Sequence, residues 1–348
     1  MKRKDKMKKL VALICLCASV AFATPEKVIF DTDMGNDCDD VLAQLMLFSY
    51  AKKGDVELLC IAINKDNPFA PRFTRLLAEW YNLGNIPIYA VKEGMAKKDG
   101  AFIRKTVEAK NPDGSLRFPM KNTNEVFEDS IKGLRKTLAG QPDNSVVYIS
   151  VGFLTNIVRL MQSQPDDISP LSGKELVAKK VKMFSIMGGG FEPDRFCNRP
   201  LAIYPEYNIK VDIPASKYFF ENVTTPVVLS PFEVGLYLRF PFHTVKYELD
   251  GGENNPASFA CEAYVWGCFR GMRDTMELNR YMWDLTSVLY VLEPHYFAIS
   301  TTGNVSVDDK GITHFKPNAK GNIRYLILQE SQKNPIVDRC VELCRVKR

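Results

Sequence analysis

This chain of 348 residues has few histidines and no pair of cysteines at the spacing typical of zinc sites. It has three histidines, at positions 243, 295 and 314, and none of its nine cysteines forms a CxxC pair. A zinc site with the usual ligand spacing is therefore not predicted. The sequence also has no internal repeat, no low-complexity tract and no linker rich in proline, glycine or serine. These absences favour a single domain that covers residues 24–348.

The amino terminus is the region with a clear excess of one charge. Residues 2–9 carry six lysines and arginines, residues 10–22 are apolar, and Ala21-Phe22-Ala23 is a small-x-small cleavage signal. The apolar segment is too short to span a bilayer comfortably, so residues 1–23 are predicted to be a secretory signal peptide. We therefore expect a soluble protein exported to the periplasm or the exterior.

The net charge of the chain comes from this leader. Six of the 46 basic residues and one of the 41 acidic residues lie within positions 1–23, which leaves 40 of each in the remainder. A balanced charge implies no electrostatic attraction to nucleic acid or to a membrane surface. We therefore predict neither as a partner of the mature protein.

The cysteines that follow the leader do not form an evident disulfide framework. Seven remain, an odd number, and Cys60 has the position of a core residue in a strand. Cys340 and Cys344 stand at helical spacing, where one disulfide is conceivable.

The rest of the sequence alternates apolar strand-like segments with amphipathic helical ones. Strands are predicted at residues 28–30, 56–63, 86–91, 146–151, 181–187 and 227–229. Helices are predicted at residues 40–52, 70–83, 124–139, 154–162 and 214–222. This order predicts an α/β fold with a mostly parallel, doubly wound sheet flanked by helices. Such sheets bind ligands at the carboxyl ends of their strands.

The C-terminal third is predicted to contain two helices and two extended segments. The helices cover residues 256–276 and 284–292, and the strands cover residues 297–307 and 325–328. A turn is expected at residues 307–311.

The segment 31–40, with the sequence DTDMGNDCDD, places five carboxylates directly after the first strand. Like charges so close together repel one another, and an all-oxygen cluster favours a hard cation such as Ca²⁺ or Mg²⁺. The spacing is not that of an EF-hand, because position twelve of its loop holds Leu42 in place of a glutamate. A phosphotransferase of the DxD type is a poor match, because Gly35 stands where that family has threonine or valine.

Six ordered motifs resemble those of the nucleoside hydrolase family, the calcium-dependent N-ribohydrolases. They cover roughly residues 27–295: the DTDMG and DD segment of residues 31–40, Asn67, VGFLTNI at 151–157, MGGG at 187–190, EYN with Asp212 and Pro214, and Trp283-Asp284. The resemblance implies an enzyme that cleaves ribonucleosides to ribose and free base, in purine and pyrimidine salvage.

The resemblance also implies roles for individual residues. Asp33 would be a calcium ligand and the general base that takes a proton from a metal-activated water. The other implied calcium ligands are Asp40, the carbonyl of Val151, and Asp284. The implied sugar ligands are Asp39, Asn67, Glu206, Asn208 and Asp284, with Asn198 as the candidate near the 5′ end.

The chain departs from the family pattern at two places that bear on these roles. The loop after Gly35 is two residues longer, so Asp37 competes with Asp39, and we favour Asp39 because the helix follows it directly. Trp283 stands where many purine-handling members have a histidine that protonates the leaving base. Tryptophan cannot donate that proton but can stack on a base; Tyr281, Arg280 or solvent are the alternatives.

A third departure is the stretch at residues 191–205, where the spacing from Asn198 to Glu206 is unusual and Arg195 and Arg199 occur. Surface charge explains these arginines better than an acidic ligand does.

Three functions follow, in order of preference. The first is an exported calcium-dependent nucleoside hydrolase, acting as a homodimer or tetramer as the resemblance suggests. The second is a calcium-dependent ribose- or nucleoside-binding protein without turnover, or a hydrolase of another N-riboside. The third is a metal-dependent phosphohydrolase.

Overall fold

The computed structural model describes residues 24–192, 205–268 and 278–348. Its main sheet has eleven strands in the order β12-β11-β13-β7-β6-β5-β1-β2-β3-β4, with β10 paired to β13. The strands of this sheet are β1 (Glu26–Thr32), β2 (Val56–Lys65), β3 (Ile88–Met95), β4 (Glu128–Asp129), β5 (Val146–Ser150), β6 (Val181–Met187), β7 (Val227–Ser230), β10 (Ala298–Ile299), β11 (Gly303–Val307), β12 (Thr313–Pro317) and β13 (Ile323–Ile327). A separate antiparallel pair joins β8 (Arg239–Phe240) and β9 (Arg280–Tyr281).

Helices cover both faces of the main sheet. They are α1 (Asp39–Lys53), α2 (Phe69–Trp80), α3 (Ile103–Val107), α4 (Ser130–Ala139), α5 (Thr155–Gln162), α6 (Gly173–Lys180), α7 (Tyr207–Val211), α8 (Ile213–Asn222), α9 (Phe232–Leu236), α10 (Pro256–Cys268), α11 (Trp283–Leu292) and α12 (Lys333–Cys344). One apolar core lies beneath α1, α2, α10, α11 and α12, and a second beneath α4, α5, α6 and α8. Because both faces of the sheet are covered, its central strands are apolar almost throughout.

The strand order reverses beside β1, and this reversal determines where a ligand can bind. β1 pairs in parallel with β2 on one side and with β5 on the other. The connections from β1 and β5 therefore leave the sheet in opposite directions and open a crevice at the carboxyl ends of these strands. The predicted mostly parallel, doubly wound sheet is confirmed, with antiparallel strands β10, β11 and β12 added at one edge.

The predicted elements are mostly confirmed, with errors at their ends. The helix predicted at residues 124–139 begins only at Ser130, because the Asp129 carboxylate caps it by accepting hydrogen bonds from the amides of Ile131 and Lys132. The strand predicted at 297–307 is two strands separated by residues 300–302. Of the helix predicted at 256–276, residues 269–276 lie outside the described part of the chain.

The cysteine predictions have mixed outcomes. Cys60 lies buried in β2, as predicted. The disulfide considered between Cys340 and Cys344 is wrong, since both thiols are free and buried on α12, where the Cys344 thiol contacts the carbonyl of Leu42. Over the described residues, no helix combines the length and the apolar composition needed to cross a membrane.

Candidate active site

The carboxyl end of β1 carries Asp33 into the crevice. Gly35 has a φ of 118°, a conformation that favours glycine, and the turn it forms brings Asn36 back to Asp33. The side-chain amide of Asn36 donates a hydrogen bond of 2.5 Å to Oδ2 of Asp33. Burial raises the pKa of Asp33 to about 6, against the effect of this hydrogen bond. Asp33 is thus a buried carboxyl group with an oriented side chain.

Three further carboxylates meet beside Asp33. Asp39 and Asp40 lie in the first turn of α1, and Asp284 lies in the first turn of α11. All three are buried, and one oxygen of each lies within 4.8 Å of the others. Burial, reinforced by repulsion between neighbouring carboxylates, raises the pKa of each well above its usual range. We call Asp39, Asp40 and Asp284 the carboxylate cluster.

Backbone and hydroxyl donors orient this cluster without neutralising it. The hydroxyl of Thr32 donates to Asp40, and the amide of Asp284 donates to Asp39 over 3.2 Å. The two helix N-termini also favour negative charge. These contacts leave three carboxylates facing one another, an arrangement suited to a hard cation.

The position of Asp37 bears on its competition with Asp39. The Asp37 carboxylate accepts hydrogen bonds from the hydroxyl of Tyr264 at 2.7 Å and from the amide of Cys38 at 2.6 Å. It also forms an ion pair of 3.4 Å with Arg280. Asp37 lines the cavity but is held by these partners, whereas Asp39 faces Asp40 and Asp284. This geometry favours Asp39 over Asp37 as the residue that takes part in binding at the cluster.

Residues 205–211 bring Glu206 and Asn208 to the same crevice. The Asn208 side chain donates to the carbonyl oxygens of Val151 at 3.2 Å and Met187 at 3.3 Å. The Glu206 carboxylate caps α7 by accepting hydrogen bonds from the amides of Asn208 and Ile209, and it also accepts one from the amide of Gly189. Burial nevertheless raises the pKa of Glu206 to about 7. Both residues line this crevice, and their role as sugar ligands stays a prediction.

Trp283 contributes to an aromatic wall on another side of the crevice. Its ring stacks on Tyr281, with centroids 4.5 Å apart, and on Phe232, with centroids 5.5 Å apart. Its indole N–H donates to the carbonyl of Phe232 at 3.0 Å. The ring is fixed by these contacts, and its one donor is already used.

These groups surround a cavity of about 550 Å³. The residues that line it are Asp33, Asn36, Asp37, Asp39, Asp40, Val151, Met187, Pro205, Glu206, Tyr207, Asn208, Lys210, Phe232, Trp283 and Asp284. The three histidines are outside this lining, and His243 and His314 instead lie beside the surface carboxylates of Glu248 and Asp308. The cavity is thus acidic at its base and aromatic on one wall.

One predicted sugar ligand, Asn67, is not brought to this cavity. The side-chain amide of Asn67 donates to the carbonyl of Lys97 and to the Asp99 carboxylate, and its oxygen caps α2 at Phe69. Asn67 is absent from the cavity lining. Asn198, with Arg195 and Arg199, lies outside the described residues, so its role stays a prediction.

Several residues behind the cavity were not assigned by sequence reasoning. Asp31 is fully buried and accepts hydrogen bonds from Tyr148, Asn64 and Asn156. A second such residue is Lys65, whose ammonium group donates to Asn36. One sequence feature could have pointed to these residues. It is the occurrence of polar side chains within otherwise apolar strands, at Asp31 in β1 and at Asn64 and Lys65 in β2.

The comparison with protein families identifies the chain. Residues 28–341 match the family described as inosine-uridine preferring nucleoside hydrolase, so the chain belongs to that family. The resemblance noted from the six motifs is therefore confirmed, and the protein is an N-ribohydrolase that acts on ribonucleosides. Comparison with curated protein sequences finds no match.

Solved structures with the same fold are distant in sequence. A plant nucleoside hydrolase, PpNRh1, has 18% identity and a TM-score of 0.66, covering 92% of this chain and 98% of its own. A purine-preferring ribonucleoside hydrolase from Gardnerella vaginalis has 16% identity and a TM-score of 0.66, covering 92% and 100%. An inosine-uridine preferring nucleoside hydrolase from Bacillus anthracis has 16% identity and a TM-score of 0.65, covering 92% and 99%. At these sequence identities, the structural similarity is evidence for the fold alone.

Proposed function

We propose that the protein is an exported calcium-dependent hydrolase that cleaves the N-glycosidic bond of purine or pyrimidine ribonucleosides. The observation that carries the proposal is the carboxylate cluster beside Asp33, at the strand reversal next to β1. Such a concentration of buried acids is unfavourable in the chain alone, because each raises the cost of ionising the others. A bound divalent cation removes that cost.

The donor set of the cluster fits calcium. Its ligands are carboxylate oxygens, which hard cations prefer, and calcium accepts six to eight of them in flexible geometry. The ion would be held by two members of the cluster, Asp40 and Asp284, together with Asp33 and the carbonyl of Val151. The third member, Asp39, would lie beside the ion. When bound, calcium supplies positive charge that orients a sugar diol and makes a nearby water more acidic.

Asp33 is the residue placed to act as the general base. Its carboxylate lies in the cavity and is oriented by Asn36. Burial raises its pKa to about 6 in the metal-free chain, and a bound cation would favour the ionised form that accepts a proton from water. Attack of that water on the anomeric carbon breaks the carbon–nitrogen bond and yields ribose and the free base.

The remaining acids would stabilise the transition state. Departure of the base leaves positive charge on the ribosyl ring, and a fixed negative environment lowers the energy of that charge. Asp39, Glu206 and Asn208 border the cavity at positions where they can bind ribose hydroxyls. A sugar held by these groups would place its anomeric carbon close to Asp33.

The aromatic wall would bind the leaving base. Phe232, Trp283 and Tyr207 line the cavity, and aromatic faces stack on purine and pyrimidine rings alike. Trp283 is not a proton donor in this site, because its indole N–H is bonded to a backbone carbonyl. Protonation of the base by solvent is consistent with these contacts.

Export and assembly complete the proposal. Residues 1–23 have the charge pattern of a signal peptide, which would leave a single-domain enzyme over residues 24–348 in the periplasm or outside the cell. A homodimer or tetramer and a role in nucleoside salvage are expected from the family.

Reducing-sugar release from a panel of purine and pyrimidine nucleosides, in the presence of calcium, tests the reaction. Ribose release by the wild type, and a rate about 10³-fold lower in Asp33→Asn, are expected because that variant lacks the base. Asp309→Asn, which changes a carboxylate exposed at the surface, is the matched control. Normal turnover by Asp33→Asn, with its fold intact by circular dichroism, would contradict the role of Asp33.

A further inference from the structure

Lys65 is a buried cation whose function neither the family motifs nor the proposed reaction explains. It is the last residue of β2, and only 1% of its surface is exposed. Lysine is rarely buried to this degree unless its charge is compensated. Its position at the carboxyl end of a strand next to β1 places it at the edge of the active site.

A chain of hydrogen bonds connects Lys65 to the proposed general base. The ammonium group of Lys65 donates to Oδ1 of Asn36, and the amide nitrogen of Asn36 donates to Oδ2 of Asp33. An ammonium group has donors and no acceptor, so it can bond only the oxygen of the Asn36 amide. That bond turns the amide nitrogen toward Asp33. The opposite amide orientation would place oxygen against carboxylate and nitrogen against ammonium.

The surrounding charges keep Lys65 in this role. Burial lowers the pKa of Lys65, and the carboxylates of Asp33, Asp40 and Asp99 oppose that shift. Asp99 is in turn held by Asn67 at 2.8 Å and by Arg104 at 2.6 Å. Asn67 therefore contacts the residue that flanks Lys65, although it does not line the cavity itself.

We propose that Lys65 is a positioning residue, which fixes the carboxylate of Asp33 through the amide of Asn36. The inference rests on the proposed function, because it takes Asp33 as the base of the hydrolysis. Lys65 itself is absent from the cavity lining and so need not touch substrate. Its expected effect is on the rate of the chemical step, with little effect on substrate binding.

Kinetics of three variants test this dependence: Lys65→Met, Asn36→Ala and the double substitution. Each single variant is expected to lower kcat about 10- to 100-fold, since small errors in the placement of a base have effects of that order. KM is expected to change less than about threefold. If Lys65 acts through Asn36, the double variant is no slower than Asn36→Ala, because the two losses do not add. Additive losses, or wild-type kcat in Lys65→Met, would overturn the proposal.

Calcium binding, measured by calorimetry with the metal alone, separates positioning from general damage to the site. Lys65→Met is expected to bind calcium within a few-fold of the wild type, because the displacement of one ligand, Asp33, is offset by the removal of a positive charge near the carboxylates. Lys217→Met, which removes a surface lysine paired with Asp309, is the matched control and should match the wild type. A loss of calcium affinity in Lys65→Met in parallel with kcat would overturn the proposal.

Crystal structures of the wild type and Lys65→Met distinguish this inference from the proposed function. The orientation of the Asp33 carboxylate is expected to differ between them, and this can be observed without turnover. An unchanged carboxylate would overturn the positioning role. A wild type that releases no ribose from any nucleoside would instead contradict the proposed function.

Discussion

A single buried carboxylate, Asp31, and the carboxylate cluster lie close together in this protein and are stabilised in different ways. Asp31 accepts three hydrogen bonds, from Tyr148 at 2.8 Å and from Asn64 and Asn156 at 2.9 Å. The members of the carboxylate cluster mainly face one another. Asp31 is thus satisfied by the chain, whereas the repulsion within the cluster would be relieved by a cation, as the proposed function expects.

This difference in hydrogen-bond partners distinguishes Asp31, a structural acid, from the acids of the carboxylate cluster, which are proposed to be functional. The partners of Asp31 come from β2, β5 and α5, so this carboxylate ties three elements to β1 beneath the site. Even with three donors, burial raises the pKa of Asp31 to about 7. Burial alone therefore does not mark a functional acid; the close approach of several buried acids to one another does.

The largest expected effect comes from Asp40→Asn, which removes one charge from the cluster. Calcium affinity is expected to fall at least 100-fold and turnover about 10³-fold, because a charged ligand is replaced by a neutral one. The melting temperature of the metal-free protein is expected to stay the same or rise, since repulsion with Asp33 and Asp39 is relieved. Calorimetry and thermal unfolding without calcium measure the two effects. A variant that binds calcium as tightly as the wild type would contradict the assignment of the cluster as the calcium site.

Asp31→Ala should show the reverse pattern. It leaves the donors of Tyr148, Asn64 and Asn156 without an acceptor, which is expected to lower the free energy of unfolding by about 3 kcal/mol. Calcium affinity of the folded variant is expected to stay within a few-fold of the wild type. Urea unfolding with the Asp309→Asn variant as control measures the loss. Unchanged stability would mean that Asp31 does not have the structural role assigned to it.

The pH dependence of stability should depend on calcium. The pKa values of Asp33 and of the cluster are raised in the folded state, so protonation favours folding. This contribution is complete below the unfolded pKa of about 4 and is lost as the pH rises through the folded values, of which that of Asp33 is about 6. The melting temperature of the metal-free protein is therefore expected to fall by a few degrees between pH 5 and pH 8.

Calcium should cancel this fall, because it binds the ionised cluster. The increase in melting temperature on adding calcium is thus expected to be larger at pH 8 than at pH 5. An equal increase at both values would argue against calcium binding to these acids.

The smallest effect is expected from Trp283→Phe, in the aromatic wall. Phenylalanine keeps a ring between Phe232 and Tyr281 but loses the hydrogen bond to the Phe232 carbonyl. We expect KM for nucleosides to rise about threefold, with kcat nearly unchanged, because stacking affects binding of the base more than the chemical step. Steady-state kinetics measure this split. A large fall in kcat would show that Trp283 acts on the leaving group.

The fold and much of the site could be predicted from the sequence because their signals are local. Short apolar strands between amphipathic helices are sufficient to predict the parallel sheet. Asp33, Asp39, Asp40 and Asp284 were recognised from ordered motifs, and the structure gathers all four around one cavity.

The contacts behind the cavity could not be predicted in this way. Lys65, which contacts Asn36, lies where the pairing of β2 with β3 shifts register, and such a shift leaves no local pattern. Asn67 was placed on the sugar because its position in the motif fitted, whereas its contacts are with Lys97 and Asp99. The alternation of β1 likewise does not distinguish Asp31, the structural acid, from Asp33.

The most direct test of the account is the calcium dependence of ribose release by the purified protein. Activity is measured after treatment with a calcium chelator and again as calcium is added back, with Asp40→Asn and Asp309→Asn in parallel. We predict that the chelator abolishes ribose release, that calcium restores it in the wild type and in Asp309→Asn, and that Asp40→Asn stays inactive. Ribose release that continues unchanged in the chelator would contradict the account.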